Sequence, residues 1–174
     1  PFTMHDLDPD KGEVGSPRYL AINPRGQVPA LQHPDGSIIT EVPAILTHLA
    51  DAHPESGLAP PPGSSARAQH DRWLAFLHAN VYEGILRIYY TERYTADPNT
   101  APAVRTAAID YVTRHLSLLG DAIEDGPFVL GAQPHGVDYL AWTLCTWLKP
   151  EWLAETGPAI LRLVEAIEGR PRLR

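Results

Sequence analysis

The sequence predicts a small α/β domain followed by an all-helical one, and three observations carry that expectation. Asp35-Gly36 stands between apolar runs, a strong β-hairpin signal, because glycine accepts the positive φ that such turns require. The stretch 55–65 is rich in proline, glycine and serine and reads as a linker between residues 1–54 and 66–174. Beyond it, apolar residues recur at three- and four-residue spacing, the mark of amphipathic helices.

Taken in order, Phe2-Thr3-Met4-His5-Asp6-Leu7 reads as a strand, and the polar stretch from Asp8 to Pro17 as a loop. Asn23-Pro24 and Arg25-Gly26 punctuate the chain before a short strand that contains Pro29. A proline cannot donate to a ladder, so it belongs at an edge or a break in pairing, and its peptide bond can be cis. Either arrangement leaves the N–H and C=O of Val28 free to pair with an extended peptide ligand as an added strand. After the hairpin, Val42-Pro43 opens a helix with Pro43 at its first position, and Ile45, Leu46 and Leu49 form its apolar face. The free N–H groups at that helix start suit a carboxylate, and Glu41 beside them suits an ammonium group.

In the second half, Trp73, Phe76, Leu77, Val81, Ile85 and Ile88 mark a long helix over about 67–93. Thr100 caps the next, with Val104, Ala108, Ile109, Val112, Leu116, Leu119 and Ile123 as its stripe. A third carries Val137, Leu140, Ala141, Leu144 and Leu148 and stops at Lys149-Pro150. The last runs from Pro158 through Ile160, Leu161, Val164 and Ile167 to Gly169.

The composition narrows the function classes. Of 174 residues, 44% are hydrophobic and 20% charged, which is globular rather than disordered. A formal charge of −7 argues against nucleic acid and anionic membrane surfaces as partners. One cysteine excludes an internal disulfide framework and suits a reducing, cytoplasmic setting. No run is long and apolar enough to span a bilayer, and no secretory signal pattern opens the chain. The eight histidines show no ligand spacing, so no metal site is expected.

The segment Tyr19 to Asp51, YLAINPRGQVPALQHPDGSIITEVPAILTHLAD, resembles the glutathione-binding half of a glutathione transferase, closest to the bacterial beta-type pattern. The resemblance implies a thioredoxin-like N-terminal domain and a helical C-terminal domain. It also implies a cis peptide bond before Pro29, Val28 pairing with the cysteinyl part of glutathione, and Glu41 and Val42 at the γ-glutamyl end. Gln27 belongs to the same wall, and Lys11 stands roughly where beta-type proteins place a lysine near the glycine carboxylate. Glutathione would be the co-substrate, a small hydrophobic electrophile near Tyr82 and Tyr89 the acceptor, and a homodimer the assembly, in a detoxifying role.

The family pattern makes Phe2–Leu7 the second strand. A first strand and helix, roughly 20–25 residues, would then precede Pro1, and the N-terminal domain would be incomplete here. Those residues would be cleaved, disordered, lost from the gene or outside this stretch of chain, and the catalytic Tyr, Ser or Cys lies among them. Beta-type proteins also carry polar residues on the long helix that reach the sulfur, and the aligned positions hold Ala75, Tyr82 and Glu83. Phe128-Val129-Leu130-Gly131 and Asp138 resemble the family's helix-capping segment, with His135 where Ser or Thr is usual. Cys145, on an apolar stripe, reads as buried and inert. Two other functions stay open: a non-catalytic module of the same fold that binds or dimerises, and another glutathione-dependent enzyme such as an isomerase, thiol reductase or peroxidase.

Overall fold

A computed structural model describes residues 2–8, 10–123 and 126–171. The chain forms two compact units, Pro1–His48 and Leu49–Arg174.

In the first unit, Ser16 accepts a hydrogen bond from the Tyr19 N–H at 3.2 Å and caps a one-turn helix, α1 (Pro17–Leu20). Only Pro17, the last residue of the stretch read as a loop, belongs to α1; inside that stretch lies a 3-10 turn at Glu13–Gly15. The Ser-Pro pair at 16–17 is an N-cap followed by a proline at the first helical position, a start signal that its polar composition masked. Strands β1 (Ala30–Gln32) and β2 (Ile38–Thr40) pair antiparallel with Ala30 opposite Thr40, and Gly36 takes φ 88° in the turn between them. The hairpin is as expected.

Phe2–Leu7 is not a strand. A strand exists only through a ladder partner. The sheet among the described residues contains only β1 and β2, and Phe2 and Met4 are exposed. Helix α2 (Val42–Ala52) follows, with Glu41 offering its carbonyl to the Ile45 N–H at 3.0 Å. Its first helical residue is Val42, so Pro43 holds the second position rather than the first.

The linker is tied down in the second unit. The Leu58 carbonyl accepts from the Gly136 N–H at 2.6 Å, the Gly57 carbonyl from His135 Nδ1 at 2.8 Å and the Pro60 carbonyl from Arg67 at 3.4 Å. The long helix is α3 (Ser65–Phe76), a π-helical segment at Leu77–Tyr82 and α4 (Glu83–Tyr89), ending four residues before Arg93. Asn80 holds the wider turn: its amide donates to the Phe76 carbonyl at 3.0 Å, and its oxygen accepts from the Tyr111 hydroxyl at 2.6 Å. α5 (Ala101–Ala122) packs against α4 so closely that a Cβ on Gly84 would lie 2.5 Å from Val112.

Thr100 does not cap α5, because its hydroxyl donates to the Asp97 carbonyl at 2.8 Å instead. Ile109 is exposed, since Ala108, Val112 and Leu116 at four-residue spacing define the inner face and the adjacent position turns outward. α6 (Gly136–Thr146) begins at the predicted capping segment, where Asp138 accepts from the His135 and Val129 N–H groups at 2.8 and 2.7 Å. Burial nonetheless outweighs those donors and raises the Asp138 carboxyl above the usual aspartate range. Pro150 opens a further helix, α7 (Pro150–Thr156), which the sequence reading took as a stop. Proline at a first helical position marks a start as readily as an end. α8 (Pro158–Glu168) closes the unit.

Leu77, Val81, Ile85, Val112, Leu119, Leu144, Ile160 and Ile167, none more than 1% exposed, form the core of this unit. Cys145 lies within it, and desolvation pushes its thiol up to about 12.

Candidate functional site

The candidate site is built by one turn and one helix start in the first unit. Asn23 begins the turn: the Gly26 N–H reaches its carbonyl at 2.9 Å, and its side-chain oxygen accepts from the Arg25 N–H at 3.1 Å. Gly26 sits at φ 61°, where a Cβ would meet the Val14 carbonyl at 3.0 Å, so the preceding loop lies directly over the turn and only glycine fits. The Gln27 carbonyl then accepts two donors, the Tyr19 hydroxyl and the Asn23 amide, each at 2.7 Å. Tyr19 and Asn23 are buried and Gln27 half-buried, so these bonds are partly shielded from water and hold the chain direction into Val28.

Val28-Pro29 is a cis peptide bond. Val28 is 62% exposed, and its N–H and C=O meet no partner among the described residues. The hairpin ladder ends at Ala30 and Thr40. Pro29 and Glu41 lie immediately beyond the Ala30–Thr40 pair, and Val28 and Val42 come next.

Glu41 has φ 70°, the one positive φ outside glycine among the described residues. Such backbone costs roughly 1–3 kcal/mol and persists where surrounding structure imposes it. Its carboxylate pairs with Arg25 at 2.7 Å. In the first turn of α2, Val42 and Ala44 carry N–H groups that no helical carbonyl can reach, whereas Pro43 has none. Lys11 stands on the loop whose Val14 covers Gly26, and its ammonium pairs with Asp8 at 2.9 Å. That ammonium is the main reason the Asp8 carboxyl falls below the ordinary aspartate range.

Gln27, Val28, Pro29, Glu41 and Val42 are thus assembled by the turn and the hairpin together, with Arg25 bridging to Glu41. Sequence reasoning missed Tyr19, Asn23 and Arg25. The Asn-Pro pair marked the turn, but nothing local revealed that a tyrosine four residues upstream of Asn23 shares its acceptor. Chemically the arrangement offers an unpaired peptide edge, an opposite-charge pair and an anion-attracting helix start, which is equipment for holding a short peptide.

The aromatic residues belong to the second unit. Tyr82 stacks on His78 with ring centroids 5.3 Å apart and lies 6.1 Å from Trp147. The Tyr89 hydroxyl donates to the Trp147 carbonyl at 2.5 Å. Glu83 accepts from the Tyr94 hydroxyl at 3.1 Å, and burial followed by that carboxylate raises the Tyr94 phenol. Ala75 is exposed and brings no polar group.

Residues 1–52 match the family model described as "Glutathione S-transferase, N-terminal domain". An uncharacterised GST-like protein, YncG of Escherichia coli strain K12, is 30% identical over 176 aligned positions, covering all of this chain and 84% of that one. A glutathione transferase from Methylococcus capsulatus superposes with a TM-score of 0.76 at 33% identity, covering 89% of this chain and 74% of its own. A glutathione transferase homologue from Sulfitobacter, solved with bound glutathione, gives a TM-score of 0.80 at 26% identity, over 95% of this chain and 80% of its own.

Proposed function

The chain belongs to the glutathione S-transferase family, and from that premise we propose that it binds glutathione and adds its thiolate to a small hydrophobic electrophile. The observation that carries the reading is the exposed, unpaired Val28 peptide beside the Arg25–Glu41 pair and the start of α2. Val28 would pair its N–H and C=O with the cysteinyl residue, as an added strand does. Glu41 would hold the γ-glutamyl ammonium, and the Val42 N–H would take the carboxylate beside it. Gln27 and Pro29 complete the wall, and Lys11 would exchange Asp8 for the glycine carboxylate. The presence of bound glutathione in the Sulfitobacter homologue supports the choice of tripeptide.

A free thiol titrates near 8.5, and each unit of depression corresponds to about 1.4 kcal/mol of preferential thiolate stabilisation. The electrophile is assigned to the aromatic residues around Tyr82 and Tyr89. We place the domains at 1–54 and 66–174, with 55–65 between them, and expect a cytoplasmic homodimer that detoxifies electrophiles. A binding-only role is the second reading. One observation favours it: Gln27, Val28, Pro29, Glu41 and Val42 bring no hydroxyl or thiol to the set.

The test is retention on immobilised glutathione, wild type beside Glu41→Ala, followed by turnover of an activated aryl halide. Retention lost in the variant, with turnover by wild type, is expected. Retention without turnover selects the binding-only role, and no retention of either protein defeats both readings.

A further inference from the structure

Arg25 is not accounted for by the tripeptide contacts above, and its surroundings suggest what it does. Its guanidinium spends one N–H on Glu41 at 2.7 Å. The remaining donors meet no acceptor among the described residues, and the side chain is 60% exposed. A guanidinium has five donors in a rigid fork that matches a carboxylate bidentately. Its backbone is not free to wander, because the Asn23 side chain accepts the Arg25 N–H at 3.1 Å and Gly26 is wedged beneath Val14.

The anion site at the α2 start is sparse. Pro43 contributes no N–H, and Val42 carries no side-chain donor. A carboxylate bound there has only the backbone N–H groups of Val42 and Ala44 to draw on within the first turn. The ligand end in question is an α-amino-acid zwitterion, with ammonium and carboxylate on one carbon. Arg25 and Glu41 present the complementary charges side by side.

We propose that Arg25 is a further binding residue, taking the γ-glutamyl α-carboxylate while Glu41 takes the ammonium. The assignment rests on the glutathione reading above. Arg25 supplies the donors that Val42 and Pro43 do not.

Calorimetric titration of wild type, Arg25→Lys and Arg25→Ala tests it, with two ligands: glutathione, and γ-aminobutyryl-cysteinyl-glycine, which lacks only the α-carboxylate. For glutathione, Arg25→Ala should weaken binding about 10-fold, the scale of one charge-assisted hydrogen bond. Arg25→Lys should fall between, keeping the charge and losing the fork. For the decarboxylated analogue, Arg25→Ala should bind as wild type does. The melting temperature should not move, since an exposed ion pair contributes little. Unchanged glutathione affinity in Arg25→Ala overturns the proposal. So does an equal loss for both ligands, which would mean that Arg25 only steadies Glu41. Absence of glutathione binding by wild type is a different outcome, because it removes the underlying reading along with this one.

Discussion

The two units are held by different means. In the second, large apolar side chains from α3, α4, α5, α6 and α8 are removed from water almost completely. In the first, Tyr19 and Asn23 are the buried residues among those described, and both act through hydrogen bonds to one carbonyl. The apolar face of α2 there is only half-buried at Ile45 and Leu46. Apolar burial is non-directional and scales with area, whereas hydrogen bonds fix direction. The unit that presents the candidate site therefore invests in directed polar contacts, and the helical unit in bulk burial.

The contrast can be broken most forcefully in the helical core. Leu119→Ala, at a fully buried position in α5, should cost about 3 kcal/mol, read as a lower denaturant midpoint, with glutathione affinity of the folded fraction unchanged. Asn23→Ala should cost less, about 1–3 kcal/mol, yet weaken glutathione binding as well, because the turn behind Val28 loses a strut. Titration of both variants beside their unfolding curves separates the two behaviours. Equal binding losses would erase the distinction.

A third substitution should move stability and binding in opposite directions. Glu41→Gly relieves the positive φ and should raise stability by roughly 1 kcal/mol, while removing the carboxylate proposed to hold the ammonium. Unfolding and resin retention measured on one preparation decide it.

The smallest effect at neutral pH belongs to Cys145. Burial raises its thiol to about 12, so the folded state holds the proton more tightly than the unfolded chain. The stability contributed by that proton is complete below pH 9 and declines as pH rises from there toward 12. Cys145→Ala should flatten that alkaline decline, and the single sulfur it removes from the core should cost less at neutral pH than the three carbons lost in Leu119→Ala. Native protein at pH 8 should resist iodoacetamide until it unfolds.

Much of the molecule was legible because the signals are local. Asp35-Gly36 specifies its hairpin through backbone permissiveness, and the apolar stripes of the helices follow from the 3.6-residue period. The failures come from cues that read both ways. Pro150 stops one helix and starts another, Thr100 spends its hydroxyl on Asp97, and Ser16-Pro17 was submerged in polar composition. The π-helical segment was invisible, and its Asn80 meets Tyr111, 31 residues away, a contact that no local signal announces.

Sequence alone determined that a cis-capable proline, a tight hairpin and a helix start stand within fifteen residues of one another, because each is encoded by neighbours along the chain. Tertiary structure alone decided that Tyr19 and Asn23 converge on the Gln27 carbonyl, that Arg25 meets Glu41, and that the Phe2–Leu7 stretch joins no strand of the sheet. Those outcomes depend on which groups meet across space, and a donor's partner is not written in its own vicinity.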